Sequence, residues 1–444
     1  MNRLSRVLRL IAEGKGLGLA ERVLARLPGG KPLTSLPDVP DFPVAPPIIS
    51  RARRRPLRVL VAGASLRLEG APLSQFDLIA ALTERGVIEP VVACIDDGPL
   101  REDYQNRGIQ VRLGLPSLSD LYSGEDFTRA AQGLANELRA DDIDLVLAVT
   151  LLTAPAVEAA RLAGLPAVWN PRESVAPHLA FRPFGATVAE RALACLRHPA
   201  AVVFVAEASR ALWAEVDYGR FHVVANALPP ERVAALAEGD RAADRARLGL
   251  APREVMVLVP GTLCPRKGQR DLVAALARLS PEASSVLRVV MLGDGDGAYA
   301  RALIQDQKRL PPGLLQIVPA VADIAPWYRA ADVVALPSRA ESAPRVVLEA
   351  LSAGRPLLVS PVFGIAEQVP EGEGALYCPP GRPAEWARHL ERLALSCDLR
   401  ADLGARGRQR LREINNFSDM VDAYSTFMVA AARGDGRVRV RSQG

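Results

Sequence analysis

The chain has 444 residues, 49% of them hydrophobic and 24% charged, with a formal net charge of +5. That composition is globular rather than disordered, and the length suits two domains better than one core. The five cysteines are odd in number, widely spaced and never in a Cys-x-x-Cys pair, which argues against a disulfide framework or a zinc site and fits a reducing cytoplasm.

Residues 1–57 stand apart as a basic extension. Residues 1–58 hold twelve Arg or Lys against four Asp or Glu, a surplus larger than that of the whole chain. Leu4, Val7, Leu8 and Ile11 recur at helical spacing with Arg3, Arg6 and Arg9 between them, and a Pro-rich linker follows. Such a helix can lie on an anionic membrane surface through residues 1–55, or else pack on the protein itself or form a poorly ordered terminus. No signal-peptide core follows the first residues, and the longest apolar stretch, near residues 145–152, is too short to span a bilayer. With no zinc finger, helix-turn-helix or aromatic-interleaved basic sheet, nucleic acid is set aside as a partner.

From Arg58 the pattern alternates between short apolar runs and helical periodicity. Strands are expected at 58–62, 90–94, 145–149, 167–169, 201–205 and 222–225, with a long helix from about 72 to 85. A second series has strands at 255–259, 287–292, 315–318, 333–336 and 356–359, then helices from 384 to 433 and a basic tail. Alternation of this kind predicts mostly parallel, doubly wound sheets. The expected organisation is one doubly wound domain over 58–228, a second over 229–415, and a C-terminal helix with a basic tail over 416–444.

In the second series, the strand at 255–259 runs into Pro260-Gly-Thr-Leu-Cys-Pro-Arg-Lys-Gly268, ahead of a helix from about Gln269 to Leu279. Small residues let the backbone approach a ligand, the helix start offers unpaired N–H groups, and Arg266 and Lys267 add full charges, so the loop suits phosphate. The strand at 333–336 leads into Glu341-Ser-Ala-Pro-Arg-Val-Val-Leu-Glu349. That spacing puts Glu341 in the loop at a strand's carboxyl end and Glu349 about two turns into the next helix, where open α/β sheets bind ligands. Asp294 and Asp296 have the spacing of a metal-binding Asp-x-Asp, but they lie between glycines in a strand-to-helix loop. The loop reading is preferred, and no metal or other cofactor is expected.

Taken in order, Gly261-Thr-Leu-x-x-x-Lys-Gly268, Gly293-Asp-Gly295, Ala331-Asp332 leading to Pro337-Ser338, the two glutamates and Gly364-Ile-Ala-Glu367 resemble the donor domain of the family-4 retaining glycosyltransferases. The first half matches less tightly, through Gly70-Ala-Pro72, Asp97-Gly-Pro-Leu100 and the region 203–212. The resemblance implies the GT-B fold: two Rossmann-like α/β domains facing a central cleft, residues 58–228 the acceptor domain and 229–415 the donor domain, with the helix of 416–444 packing back on the first. It implies that Lys267 holds a donor diphosphate, Glu341 faces the transferred sugar and Glu349 accepts from the ribose hydroxyls. Gly261, Thr262, Arg266, Gly293, Val321, Ser342, Ala343 and Arg345 complete the expected donor set. Relatives often carry Arg at the position of Thr262 and Gly at that of Pro344; Arg266 and Arg345 are close enough in sequence to supply the charge.

In the first half, Gly70, Ala71 and Pro72 can approach acceptor or phosphate through backbone groups. Arg172 and Glu173 are candidates for acceptor or sugar contact, or else form an ordinary loop salt bridge. His178 is a weaker candidate, since a lone histidine is more often structural. The expected reaction moves a sugar, with retention, from a nucleoside-diphosphate sugar to a glycan or lipid-linked acceptor of cell-surface polysaccharide assembly, in the cytoplasm or at the inner face of the membrane. A nucleotide-sugar hydrolase or epimerase, and a non-catalytic nucleotide-sugar-binding protein, are the alternatives.

Overall fold

The computed structural model describes residues 56–295 and 297–434. The amphipathic segment, the second aspartate of the Asp-x-Asp pair (Asp296) and the basic tail beyond residue 434 lie outside the described residues. Two compact units separate at Asn226, and the residues after Phe417 belong to the first of them.

The first unit carries seven strands: β1 (Leu57–Ser65), β2 (Ile88–Asp96), β3 (Gln110–Leu113), β4 (Leu145–Val149), β5 (Ala167–Asn170), β6 (Ala201–Phe204) and β7 (Phe221–Val223). They pair in parallel in the order β3-β2-β1-β4-β5-β6-β7. Strand order reverses between β1 and β4, so their carboxyl ends flank a topological switch point. All five residues of β4 are buried, as a strand covered on both faces requires. The helix Phe417–Arg433 belongs to this unit, where Arg85 pairs with Asp422 at 2.7 Å and the rings of His222 and Phe427 lie 4.8 Å apart.

The second unit has six strands: β8 (Val255–Pro260), β9 (Leu287–Leu292), β10 (Leu315–Val318), β11 (Val333–Leu336), β12 (Leu357–Val359) and β13 (Ala375–Tyr377). Their order is β10-β9-β8-β11-β12-β13, again all parallel, with the reversal between β8 and β11. Along β8 the side chains alternate between two cores. Val255, Val257 and Val259 enter one, while Met256 and Leu258 enter the other. A side-chain period of two therefore feeds helical layers on both faces. Each fully buried Val or Leu contributes about 1.5–3 kcal/mol relative to exposure.

Two strands escaped the sequence pattern. The edge strand β3 has no fully buried residue, and β13 has only three residues next to Gly372 and Gly374, so neither presents a long apolar run. The long helix of the first unit starts at Gly70 rather than near Pro72. The helix after β11 starts only at Arg345, with Pro344 as its N-cap in an extended conformation, so Glu349 lies just over one turn into it rather than two.

Candidate functional site

The switch point of the second sheet brings together the loops that follow β8 and β11. After β8 the chain makes a tight turn at Pro265–Lys267 and passes through Gly268, whose φ of 67° is left-handed, before the helix Gln269–Leu276 begins. A Cβ at Gly268 would stand 1.9 Å from the Pro337 carbonyl oxygen, so only glycine lets the two loops touch here. The Arg339 amide seals the contact by donating to the Arg266 carbonyl at 2.7 Å.

This closure joins residues 74 positions apart. Lys267 Nζ donates to Glu341 Oε1 at 2.6 Å, and Ser338 Oγ donates to the same oxygen at 2.9 Å. Arg266 Nη1 stands 3.1 Å from Oε2. The Glu341 side chain is only 8% exposed and that of Lys267 12%, whereas Arg266 is 43% exposed. Burial pushes the Glu341 carboxyl upward, but the charges of Lys267 and Arg266 and the bonds from Lys267 and Ser338 outweigh it and hold the group down at about 2. It is therefore an anion at neutral pH, able to accept hydrogen bonds and unable to donate a proton.

Glu349 is also buried, and its oxygens are occupied. Tyr328 donates its hydroxyl to Oε2 at 2.8 Å, Arg232 Nη2 donates to Oε1 at 3.2 Å, and Arg345 Nε stands 3.8 Å away. Burial, then the neighbouring carboxylate, push the Tyr328 phenol well above its ordinary range, so it stays a donor. Arg345 is buried beside Glu349 rather than standing at the loop surface with Arg266. Neither Tyr328 nor Arg232 belongs to the sequence-derived set. Each reaches Glu349 from a different helix, and no local spacing relates them.

The neighbouring loops are laced together by backbone groups. A Cβ at Gly293 would meet the Gly261 carbonyl oxygen at 2.3 Å, so the β9 loop can lie on the β8 loop. Leu263 donates to the Asp294 carbonyl at 2.8 Å, and the Asp294 carboxylate accepts from the Ala320 amide at 2.9 Å, one residue before Val321. Asp294 thus braces three loops. Among the described residues no group of three or more His, Cys, Asp or Glu could hold a metal. Thr262 is exposed and its carbonyl accepts from Gln269; Ser342 is half-buried; the Ala343 carbonyl accepts from Asn226 at 2.7 Å. A groove of about 800 Å³ lies on the flank of the helix Gln269–Leu276, between Arg270, Asp271, Tyr299 and Arg339, not over Glu341. Its arginines are matched by carboxylates, with Arg270–Asp306 and Arg339–Asp271 both at 2.8 Å.

In the first unit, the exposed Gly70 and the half-buried Ala71 and Pro72 form the first turn of the helix Gly70–Glu84, just past the carboxyl end of β1. Beyond β5, Glu173 turns its two oxygens onto backbone amides, Leu151 at 2.9 Å and Arg172 at 2.8 Å. It ties the loop after β4 to the loop after β5, and burial raises its pKa against those two bonds. Thr150, at the end of β4, holds φ 73° and ψ 165°, a conformation that is rare outside glycine. Its amide donates to the Asn170 carbonyl at 3.0 Å and its own carbonyl accepts from the Trp169 indole at 2.8 Å. His178 is exposed on the four-residue helix Pro177–Ala180.

Comparison with known proteins agrees with this fold. The family described as "Glycosyl transferase 4-like domain" matches residues 69–227, and "Glycosyl transferases group 1" matches residues 254–396. The D-inositol 3-phosphate glycosyltransferase of Jonesia denitrificans is 32% identical over 265 residues, which cover 52% of this chain and 60% of that protein. That of Rhodococcus jostii is 36% identical over 211 residues, 46% of this chain and 45% of the relative. The chain thus spans roughly half the length of the curated relatives it matches. Among solved structures, Anabaena HepE in complex with UDP-glucose superposes with a TM-score of 0.72 at 20% identity, over 84% of this chain and 100% of that one. Sucrose-phosphate synthase from Thermosynechococcus elongatus gives 0.71 at 18% identity, over 84% and 100%. Both likenesses speak to the fold. The chain belongs to the group 1 glycosyl transferases and has the GT-B fold.

Proposed function

We propose that the protein is a retaining glycosyltransferase that moves a sugar from a nucleoside-diphosphate sugar to a glycan or lipid-linked acceptor of cell-surface polysaccharide assembly. The observation that carries this reading is the buried Lys267–Glu341 pair at the switch point, flanked by the exposed Arg266 and followed by Glu349. A donor diphosphate would compete with Glu341 for the Lys267 ammonium and meet Arg266 at the surface. As the sugar–phosphate bond breaks, negative charge grows on the leaving diphosphate, and fixed cations stabilise it without reorganising. Glu341, held as an anion, then accepts from the sugar hydroxyls.

Glu349 would take the ribose hydroxyls. A carboxylate has about four lone-pair sites, so bonds from Tyr328 and Arg232 leave capacity for more while fixing its rotamer. The Val321 loop, braced through Asp294, would meet the nucleotide base by backbone groups. Retention follows from attack on the leaving-group face, which needs no enzymic nucleophile. A cytoplasmic site of action fits the five free cysteines and the lack, among the described residues, of a helix long and apolar enough to cross a membrane.

The HepE complex makes UDP-glucose the first donor to try, and the names of the curated relatives make D-inositol 3-phosphate a first acceptor. The test is nucleoside diphosphate release from a panel of nucleotide sugars with and without acceptors. Acceptor-dependent release supports the transferase. Release at full rate without acceptor would instead assign a hydrolase or epimerase, and donor binding without release a binding protein.

A further inference from the structure

At the amino edge of the second sheet, opposite the loops of Lys267 and Glu341, guanidinium groups outnumber the carboxylate that serves them. Asp332 stands directly before β11. Arg241 donates to its Oδ1 at 2.6 Å, and Arg245 and the Met256 amide donate to its Oδ2 at 2.9 and 2.8 Å. Arg241 and Arg245 also bind the carbonyls of Arg329, Ala330 and Ala331, so these two arginines have structural work.

Arg355, two residues before β12, has no such partner. It is half-buried, its Nε is shielded from solvent and accepted by nothing, and it forms no ion pair among the described residues. The charges that act on it are those of Arg241, Asp332, Arg408 and Arg245. Arg408 is exposed, likewise makes no ion pair among the described residues, and lies so close to Gly354 that a Cβ there would stand 1.9 Å from its Nη1. Burial first, and then the cation of Arg241, bring the Arg355 pKa down to about 10, which still leaves it charged at neutral pH. Around Arg355 stand three further cations and one carboxylate, and the oxygens of that carboxylate are already taken.

An orphaned, partly buried guanidinium is costly and calls for an absent partner. A guanidinium fork matches an oxyanion that offers two or more oxygens, phosphate above all. We propose that Arg355, with Arg408 and the exposed side of Arg241, forms a binding site for a phosphate-class oxyanion at the amino edge of the second sheet, separate from the site at the carboxyl edge. The ligand is a free phosphate or diphosphate, or the phosphodiester headgroup of an anionic lipid.

The experiment titrates the full chain in chloride buffer with inorganic phosphate and with pyrophosphate by calorimetry. Parallel titrations in a Lys267→Ala background remove phosphate held at the carboxyl edge. Arg355→Gln is expected to weaken the remaining binding about tenfold or more, the worth of one charge-assisted bond. Arg408→Gln, on an exposed side chain that leaves the interior untouched, is expected to weaken it by less, and it keeps the test open should Arg355→Gln fail to fold.

A second arm measures co-sedimentation with phosphatidylglycerol vesicles against phosphatidylcholine controls. Binding of soluble phosphate that depends on these arginines assigns the free ion. Arginine-dependent binding to phosphatidylglycerol alone assigns the headgroup. If neither variant changes binding in either arm, or if Lys267→Ala alone abolishes all of it, the proposal is wrong.

Discussion

The two units share one plan, a parallel sheet whose strand order reverses in the middle, yet they furnish the reversal differently. In the second unit the switch point between β8 and β11 is filled by charge: Lys267 and Arg266 stand 2.6 and 3.1 Å from the Glu341 carboxylate, and Glu349 follows on the next helix. In the first unit the switch point between β1 and β4 is furnished by backbone. The strained Thr150 and the Glu173 brace bind backbone groups of neighbouring loops, and the helix Gly70–Glu84 begins past the end of β1. One plan therefore accommodates two kinds of loop chemistry. Under the function proposed above, a diphosphate needs the countercharge of the second unit, whereas a hydroxyl-bearing acceptor needs shape and directed dipoles.

The comparison breaks first at Lys267. Lys267→Ala is expected to lower turnover by about 10²–10³, with a smaller loss of nucleotide affinity, because its charge matters most as the leaving group develops. Steady-state nucleoside diphosphate release alongside calorimetry checks this; equal losses in both would place Lys267 in ground-state binding only.

Gly268→Ala tests whether loop closure makes the charged site. The added methyl would meet the Pro337 carbonyl and force an L side chain to φ 67°. A loss of about 3 kcal/mol or more is expected on thermal or urea unfolding. A well-folded variant with intact donor binding would show that the β8 and β11 loops need not touch.

The acid dependence sharpens the comparison further. The Glu341 carboxyl falls from 4.5 to about 2 on folding, so its contribution to stability is complete above pH 4.5 and is lost as pH drops toward 2. The stability gap between the wild type and Glu341→Gln should shrink across that window. Glu173, raised rather than lowered, has the opposite sign. Its ionisation opposes folding at neutral pH, so Glu173→Gln should show no such acid-side shrinkage. Unfolding curves at closely spaced pH values distinguish the two.

The smallest expected effect is at Thr150. Thr150→Gly relieves backbone strain of about 1–3 kcal/mol and costs about 1 kcal/mol in chain entropy, so stability should hold or rise slightly. A clear loss of stability would mean that the threonine side chain, not only its backbone, shapes the edge of β4.

By itself the sequence determined most of the strands and singled out the two glutamates as candidates. Continuous apolar runs such as residues 145–149 and 255–259 mark buried parallel strands because both faces are covered, and a Lys-Gly turn or a Glu-x7-Glu spacing survives as local pattern. The charged loops were legible because they are contiguous in the chain. What tertiary structure alone decided is partnership. That Lys267 closes on Glu341, that Tyr328 and Arg232 hold Glu349, that Glu173 turns to backbone amides and that Arg355 is left without a carboxylate all depend on loops from separate strands meeting at sheet edges. The β3 and β13 edges escaped for a related reason. A strand with few buried positions is specified by the neighbour it pairs with, and that neighbour lies elsewhere in the chain.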